Sequence, residues 1–228
     1  MEKRYKYLSH ILDNNTPTYG HAYSIDIKRT HSIGRGDIAN ESVISTTTHI
    51  GTHIDLPYHF FEHGETIESY EASYWVFDHP LVVELEMDEV IIGKSLIHAL
   101  QKYQHLKETD LLMVKTGMEK YRESEAYWRN NPGFDPDLYE VLREMFPKLR
   151  AFGFDTISLT AYKHPHTGRK AHKAFLNPDK PLLIIEDMHL EGVSIEENIS
   201  TVIVAPLRIA QCDGMPCTVI ATLDEDSK

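Results

Sequence analysis

Cysteine is scarce in this 228-residue chain, where only Cys212 and Cys217 occur. They stand in Cys-Asp-Gly-Met-Pro-Cys, a spacing that fits neither a Cys-x-x-Cys redox motif nor a zinc ribbon, so both read as reduced, structural thiols. Long apolar runs are missing too. No stretch approaches the roughly 18 apolar residues that span a bilayer, and at 41% hydrophobic residues the composition is that of a globular protein. The basic start Met1-Glu2-Lys3-Arg4-Tyr5-Lys6 is followed by no apolar stretch, which argues against a secretory signal and for a cytoplasmic location. Basic residues are in deficit, 23 against 35 acidic, and the net charge of −12 disfavours nucleic acids and anionic membranes as partners. A small-molecule partner remains open. No internal repeat or low-complexity linker interrupts the chain, and its length suits one domain over residues 1–228. Arg35-Gly36-Asp37 reads as a turn rather than an adhesion motif.

Histidine is abundant, with 14 residues. His63, His79, His98 and His105 lie beside charged or turn residues and read as surface positions. The run from His49 to His59 is different: His49, His53, Asp55 and His59 occupy odd positions, while Ile50, Ile54, Leu56 and Tyr58 alternate with them. In an extended strand this places the imidazoles and the carboxylate on one face and the apolar side chains on the other. Gly51, Thr52 and Pro57 oppose a helix. His53 and Asp55 lie about 6.6 Å apart at roughly 3.3 Å per residue, within reach of one ion. His49 and Asp55 would be about 20 Å apart on a straight strand, so the chain must bend, and Gly51 is the residue that tolerates the bend.

The remaining pattern predicts strands at Tyr23–Lys28 and Glu41–Thr47 around a turn at Ser32–Asp37, and further strands at 80–85, 110–115, 149–155, 182–186, 201–209 and 218–223. Helices are expected from Ser95, as N-cap, to about Tyr103, from Asp135-Pro136-Asp137 to about Phe146, and over Lys170–Phe175. Helices alternate with strands in the middle and the ends are β-rich, so the class is α/β or mixed α+β. His172, in the third helix, and Glu186, a carboxylate ending the apolar strand Leu182–Ile185, are two more ligand candidates, since a buried carboxylate is costly unless paired or bound to a cation.

The segment His49-x-Gly51-Thr52-His53-x-Asp55-x-Pro57-x-His59 resembles the signature of the cyclase family, which includes bacterial kynurenine formamidases and isatin hydrolases. The resemblance continues through Thr116-Gly117, Gly153-Phe154-Asp155-Thr156-x-Ser158, Ala171-His172-x-x-x-Leu176, Glu186 and Asp213-Gly214-x-Pro216. It implies a swivelling β/β/α fold, usually dimeric or tetrameric. It also implies that His49, His53 and Asp55 hold one divalent ion, that Asp55 bridges to a second ion held by His172 and Glu186, and that His59 stays off the metal as proton carrier. The implied chemistry is hydrolysis of an amide, formamide or lactam, with N-formylkynurenine, a step of tryptophan catabolism, as the leading substrate and an isatin-like lactam as the second. Imidazole and carboxylate ligands suit zinc, and a carboxylate-rich second position also accepts manganese.

Two positions depart from the family pattern. Thr160 stands where an acidic residue is expected and Gln211-Cys212 where a glycine-rich pair is; both departures are expected near the substrate. Tyr19, Tyr70, Tyr74 and Trp75 are candidates for an aromatic pocket, with core packing as the alternative. Two rival readings stay open: a non-haem iron oxygenase built on His53, Asp55 and His172, and a metal-binding protein without catalysis.

Overall fold

The computed structural model describes residues 3–21, 24–86, 89–195 and 197–224. In chain order the strands are β1 (Arg4–Tyr7), β2 (Asp26–His31), β3 (Glu41–Ser45), β4 (His53–Asp55), β5 (Val76–Phe77), β6 (Pro80–Glu84), β7 (Ile91–Ile92), β8 (Leu111–Lys115), β9 (Gly133–Phe134), β10 (Ala151–Phe154), β11 (Leu183–Glu186), β12 (Ile199–Pro206) and β13 (Gly214–Leu223). The helices are α1 (Lys94–Leu100), α2 (Ala126–Arg129), α3 (Leu138–Met145) and α4 (Pro165–Phe175).

The main sheet runs β5-β12-β13-β4-β11-β10-β8-β6, with β1 also on β13. Its outermost strands, β5 and β6, are joined only by Asp78 and His79. A sheet whose two ends are tied by so short a link must curl until they approach, so the mixed sheet is nearly closed. One half is parallel, with β6, β8, β10 and β11 side by side and α1, α3 and α4 in the crossovers. The other half is antiparallel, with β4 flanked by β11 and β13. Strands buried on both faces read as continuous apolar runs. Accordingly Leu111–Val114, Ala151, Phe152, Phe154 and Leu183–Ile185 are fully buried, in one core with Leu96, Leu142 and Phe175 from the helices.

The expected mixed α/β class holds, and several boundaries move. The first expected strand shifts to Asp26–His31; Tyr23 lies outside the described residues. Ser95 does not cap α1: Gly93 holds that position, and the Ser95 hydroxyl donates to Glu89 at 2.8 Å. The third helix begins at Pro165 rather than Lys170, because a proline in the first turn forfeits no helical hydrogen bond. The His49–His59 segment is not one strand. Only His53–Asp55 is paired, residues 48–52 form a bend, and Pro57–His59 is a turn of 3-10 helix. Pro57 ends the ladder because it has no N–H to give. Beyond it the alternation fails, and Tyr58, expected on the core face, is 41% exposed.

Candidate functional site

β4 lies between β11 and β13, so its side chains meet those of two neighbours. The register sets His53 opposite Glu186, and Asp55 opposite Gly214 and Ile184. Directly opposed residues share a face, and this places His53, Asp55 and Glu186 together although 133 positions separate His53 from Glu186 in the chain. Ile54 and Leu56 turn the other way and are fully buried in the core. His49 returns to the same face because Gly51 adopts φ +58°, a left-handed conformation that favours glycine. The ring of His49 then lies over the bare Cα of Gly214, where a Cβ would come within 2.7 Å of His49 Cε1. From α4, His172 completes the constellation, its Nε2 standing 3.6 Å from an oxygen of Asp55 and 3.6 Å from one of Glu186.

Hydrogen bonds fix which ring nitrogen faces the carboxylates. His53 donates Nδ1–H to the Gly51 carbonyl at 2.7 Å, and His172 donates Nδ1–H to the Gly168 carbonyl at 2.9 Å. Both rings therefore aim Nε2 at Asp55 and Glu186. The Nε2 of His53 is buried with no hydrogen-bond partner, and it lies 3.4 Å from Asp55 and 3.4 Å from Glu186. Such orientation of imidazoles by backbone carbonyls is how metal-ligating histidines are held. Glu186 is anchored in turn, accepting from the Leu159 amide at 2.7 Å.

Two groups of three ligand atoms, each within 4.8 Å of one another, meet here: His49, His53 and Asp55, and Asp55, His172 and Glu186. Asp55 belongs to both. An orphaned buried nitrogen, a carboxylate common to two groups and an all-nitrogen and oxygen donor set fit divalent cations.

Electrostatics agrees with a site built for positive charge. Burial opposes protonation of His49, but Asp55 and Asp213 outweigh it and hold the imidazole up at about 9. His172 rises to about 10 against the same burial penalty, through Asp55 and Glu186, and these two carboxylates also hold His53 well above its ordinary range. Burial would raise Asp55, yet the surrounding imidazoles keep it well below the usual carboxylate range.

His59 stands to one side. Its ring lies 4.0 Å from that of His49, centroid to centroid, and its Nδ1 is 3.0 Å from Asp213 Oδ2. The same oxygen accepts from His49 Nε2 at 2.8 Å, and the other accepts from the Thr48 hydroxyl at 3.0 Å. Asp213 is thus a site residue to which the sequence reading gave no role, although it stood in the C-terminal segment Asp213-Gly214-x-Pro216. His49, His59 and Asp213 also satisfy the spacing of a metal group.

A cavity of about 400 Å³ opens onto these residues, lined also by Tyr19, Phe60, Ile157 and Arg169. Thr160 lines it and sits 3.3 Å from His172 Nδ1. Gln211 and Cys212 do not line it, contrary to expectation. Gln211 instead takes φ +64°, the left-handed conformation a glycine would adopt, and its amide bonds the Glu68 carboxylate. Of the four aromatic candidates only Tyr19 lines the cavity; Tyr70, Tyr74 and Trp75 pack on one another at 4.7 to 5.4 Å. His63, His79, His98 and His105 are exposed, as expected.

Among the described residues no helix is long and apolar enough to cross a membrane. Curated relatives include a kynurenine formamidase of Bacillus cereus, 21% identical over 93% of this chain and 94% of its own length, and one of Delftia acidovorans, 22% identical over 83% of each. Cyclase-like protein 2 of Arabidopsis thaliana is 25% identical over 83% of this chain and 67% of its own. Among solved structures, isatin hydrolase A from Labrenzia aggregata superposes with a TM-score of 0.80 at 21% identity, covering 98% of this chain and 94% of that one. A profile described as Putative cyclase matches residues 7–161, carrying the whole His49–His59 motif, and the chain therefore belongs to the cyclase family.

Proposed function

We propose that this protein is a metal-dependent hydrolase of a carbon–nitrogen bond, acting on an aryl formamide of the N-formylkynurenine type. The observation that carries this reading is the Asp55 carboxylate set between two ligand groups, with the unpartnered Nε2 of His53 aimed at it. His49, His53 and Asp55 would hold one cation, and Asp55, His172 and Glu186 a second. Zinc suits these ligands, and manganese is the alternative. When bound, a divalent cation supplies Lewis acidity toward a carbonyl and an acidified water.

The chain's own residues supply the rest. With its Nδ1–H donated to Asp213, His59 keeps Nε2 as its basic atom, and its ring lines the cavity. It takes a proton from the attacking water and returns it to the nitrogen as the carbon–nitrogen bond breaks, so that the formyl group leaves as formate and the arylamine is released. Asp213 holds the ring in that tautomer and stabilises it once charged, as the orienting carboxylate of a catalytic triad does. Tyr19, Phe60 and Ile157 offer an apolar and aromatic wall for the aryl ring. Arg169, four residues after Pro165 and three before His172, shares their face of α4 and brings a guanidinium to the same cavity for a substrate carboxylate. The kynurenine formamidase relatives point to the same chemistry. The iron oxygenase alternative needs open positions around His53, Asp55 and His172, and His49 and Glu186 stand there.

The test is hydrolysis by the metal-loaded protein across aryl formamides, lactams and simple esters. Turnover of N-formylkynurenine above the lactams supports the reading. Preference for isatin would move it to lactam opening, and metal binding without turnover of any substrate would leave a binding protein.

A further inference from the structure

A second cluster of ligand-type side chains lies outside this site and takes no part in the proposed reaction. His10 follows β1, Glu119 lies in the 3-10 turn at Met118–Tyr121, and His189 follows β11. Their ligand atoms all fall within 4.8 Å of one another. Glu119 is nearly buried, its side chain 5% exposed. Its Oε2 accepts the amides of Leu190 at 2.8 Å and Glu191 at 2.6 Å, which leaves Oε1 for the two imidazoles. Oε1 is hydrogen-bonded by His189 Nδ1 and lies 3.4 Å from His10 Nε2.

His10 is the atom without an account. Its Nε2 is buried and has no hydrogen-bond partner. The next nearest carboxylate, Asp187, is 3.9 Å away and committed elsewhere: it takes Arg122 in a two-pronged pair and the Tyr127 hydroxyl at 2.5 Å. A buried imidazole nitrogen with nothing to bond costs free energy in either tautomer. Two imidazole nitrogens and one carboxylate oxygen are a ligand set of open zinc sites. A cavity of about 840 Å³, lined by His10 and His189 together with Ser9, Leu12 and Thr52, gives access and room for a further ligand.

We propose that His10, Glu119 and His189 form a divalent-cation site, separate from the candidate active site, that fastens the segment after β1 to the loop after β11. The ion binds His10 Nε2, Glu119 Oε1 and His189 Nδ1, and His189 then carries its proton on Nε2, so no net proton is released by the tautomer exchange. Zinc fits the set, and cobalt serves as its probe.

The proposal does not depend on the hydrolase reading, and the experiment keeps the two apart. Metal-free full-length protein is titrated with Co2+ by calorimetry, and bound Zn2+ is counted by elemental analysis, in wild type, Asp55→Ala, His189→Ala, His10→Gln and Asp55→Ala/His189→Ala. Expected is the loss of one equivalent in His189→Ala and in His10→Gln, and one equivalent retained in Asp55→Ala but lost in the double variant. The half-exposed His189 tolerates truncation, and His10→Gln is the second, conservative probe. Wild-type stoichiometry in both His189→Ala and His10→Gln, or equal content in Asp55→Ala and the double variant, overturns the site whatever the hydrolysis assay shows.

Discussion

Replacing Gly51 by valine removes no ligand, yet it should weaken the hold of the candidate site on its first cation. Gly51 holds φ +58°, which costs a residue with a Cβ about 1–2 kcal/mol. A Cβ there would also come within 2.1 Å of Leu12 Cδ2, and pushing that side chain aside adds about 1–3 kcal/mol of overpacking. The sum is about 2–5 kcal/mol. The chain can relieve it by letting residues 49–51 relax toward extended backbone, which swings His49 away from Asp55 while β4 stays paired on both sides. If relaxation of this bend absorbs the strain, forming the site must restore it, and affinity for the first cation should fall by about 30- to 4,000-fold. Competition titration with a zinc chelator reads the affinity, and thermal unfolding of the metal-free variant reads the fold. Wild-type zinc affinity in a folded Gly51→Val protein would refute the role of the bend.

His59→Ala should retain its metal and lose about 10²- to 10⁴-fold in kcat, whereas His53→Ala should lose metal and activity together; elemental analysis beside the rate separates them. Asp213→Asn should lower kcat with metal content unchanged, because an amide no longer fixes which nitrogen of the His59 ring carries the proton; an unchanged kcat would count against that pairing. In ion-free protein His49 and His172 keep their protons up to about pH 9 and 10, so a cation must displace them. Metal affinity should therefore climb with pH, by roughly a decade per unit for each proton displaced, and a flat titration would contradict the assignment. The same raised values stabilise the metal-free fold fully below about pH 6.5, the ordinary imidazole value, and that contribution should fade as pH passes through about 9 to 10, which urea denaturation across that window checks. Arg169→Gln should raise KM for an aryl formamide bearing a carboxylate and leave a neutral one unaffected.

Much of the site was written locally. The odd-numbered histidines and Asp55 announce one face of a short strand, and Gly51 announces its bend, because both depend on backbone geometry a few residues long. The sequence pattern overstates the reach of the strand, since alternation continues through Pro57 to His59 while pairing cannot. Glu186 was visible as a carboxylate ending an apolar run, but its position opposite His53 is a matter of strand order, which no local pattern encodes. Asp213 is silent for the same reason: it touches His49 and His59 only because β13 lies beside β4. His10, Glu119 and His189 are scattered over three connections and carry no periodicity. The near closure of the sheet was likewise beyond the sequence, for it follows from β5 and β6 ending up at opposite ends of one strand order.

The placement of β4 between β11 and β13 also sets a timetable for the nascent chain. The residues from His49 to His59 are synthesised early, yet both strands that flank them come after residue 182. Until those emerge from the ribosome, His53 and Asp55 have no strand neighbour on either side, and Glu186, the carboxylate opposite His53, has not yet been made. Loading of the candidate metal site is therefore a late event, gated by completion of the chain rather than by translation of the motif. A ribosome-stalled chain ending before residue 183 should carry the full histidine signature and still fail to retain zinc.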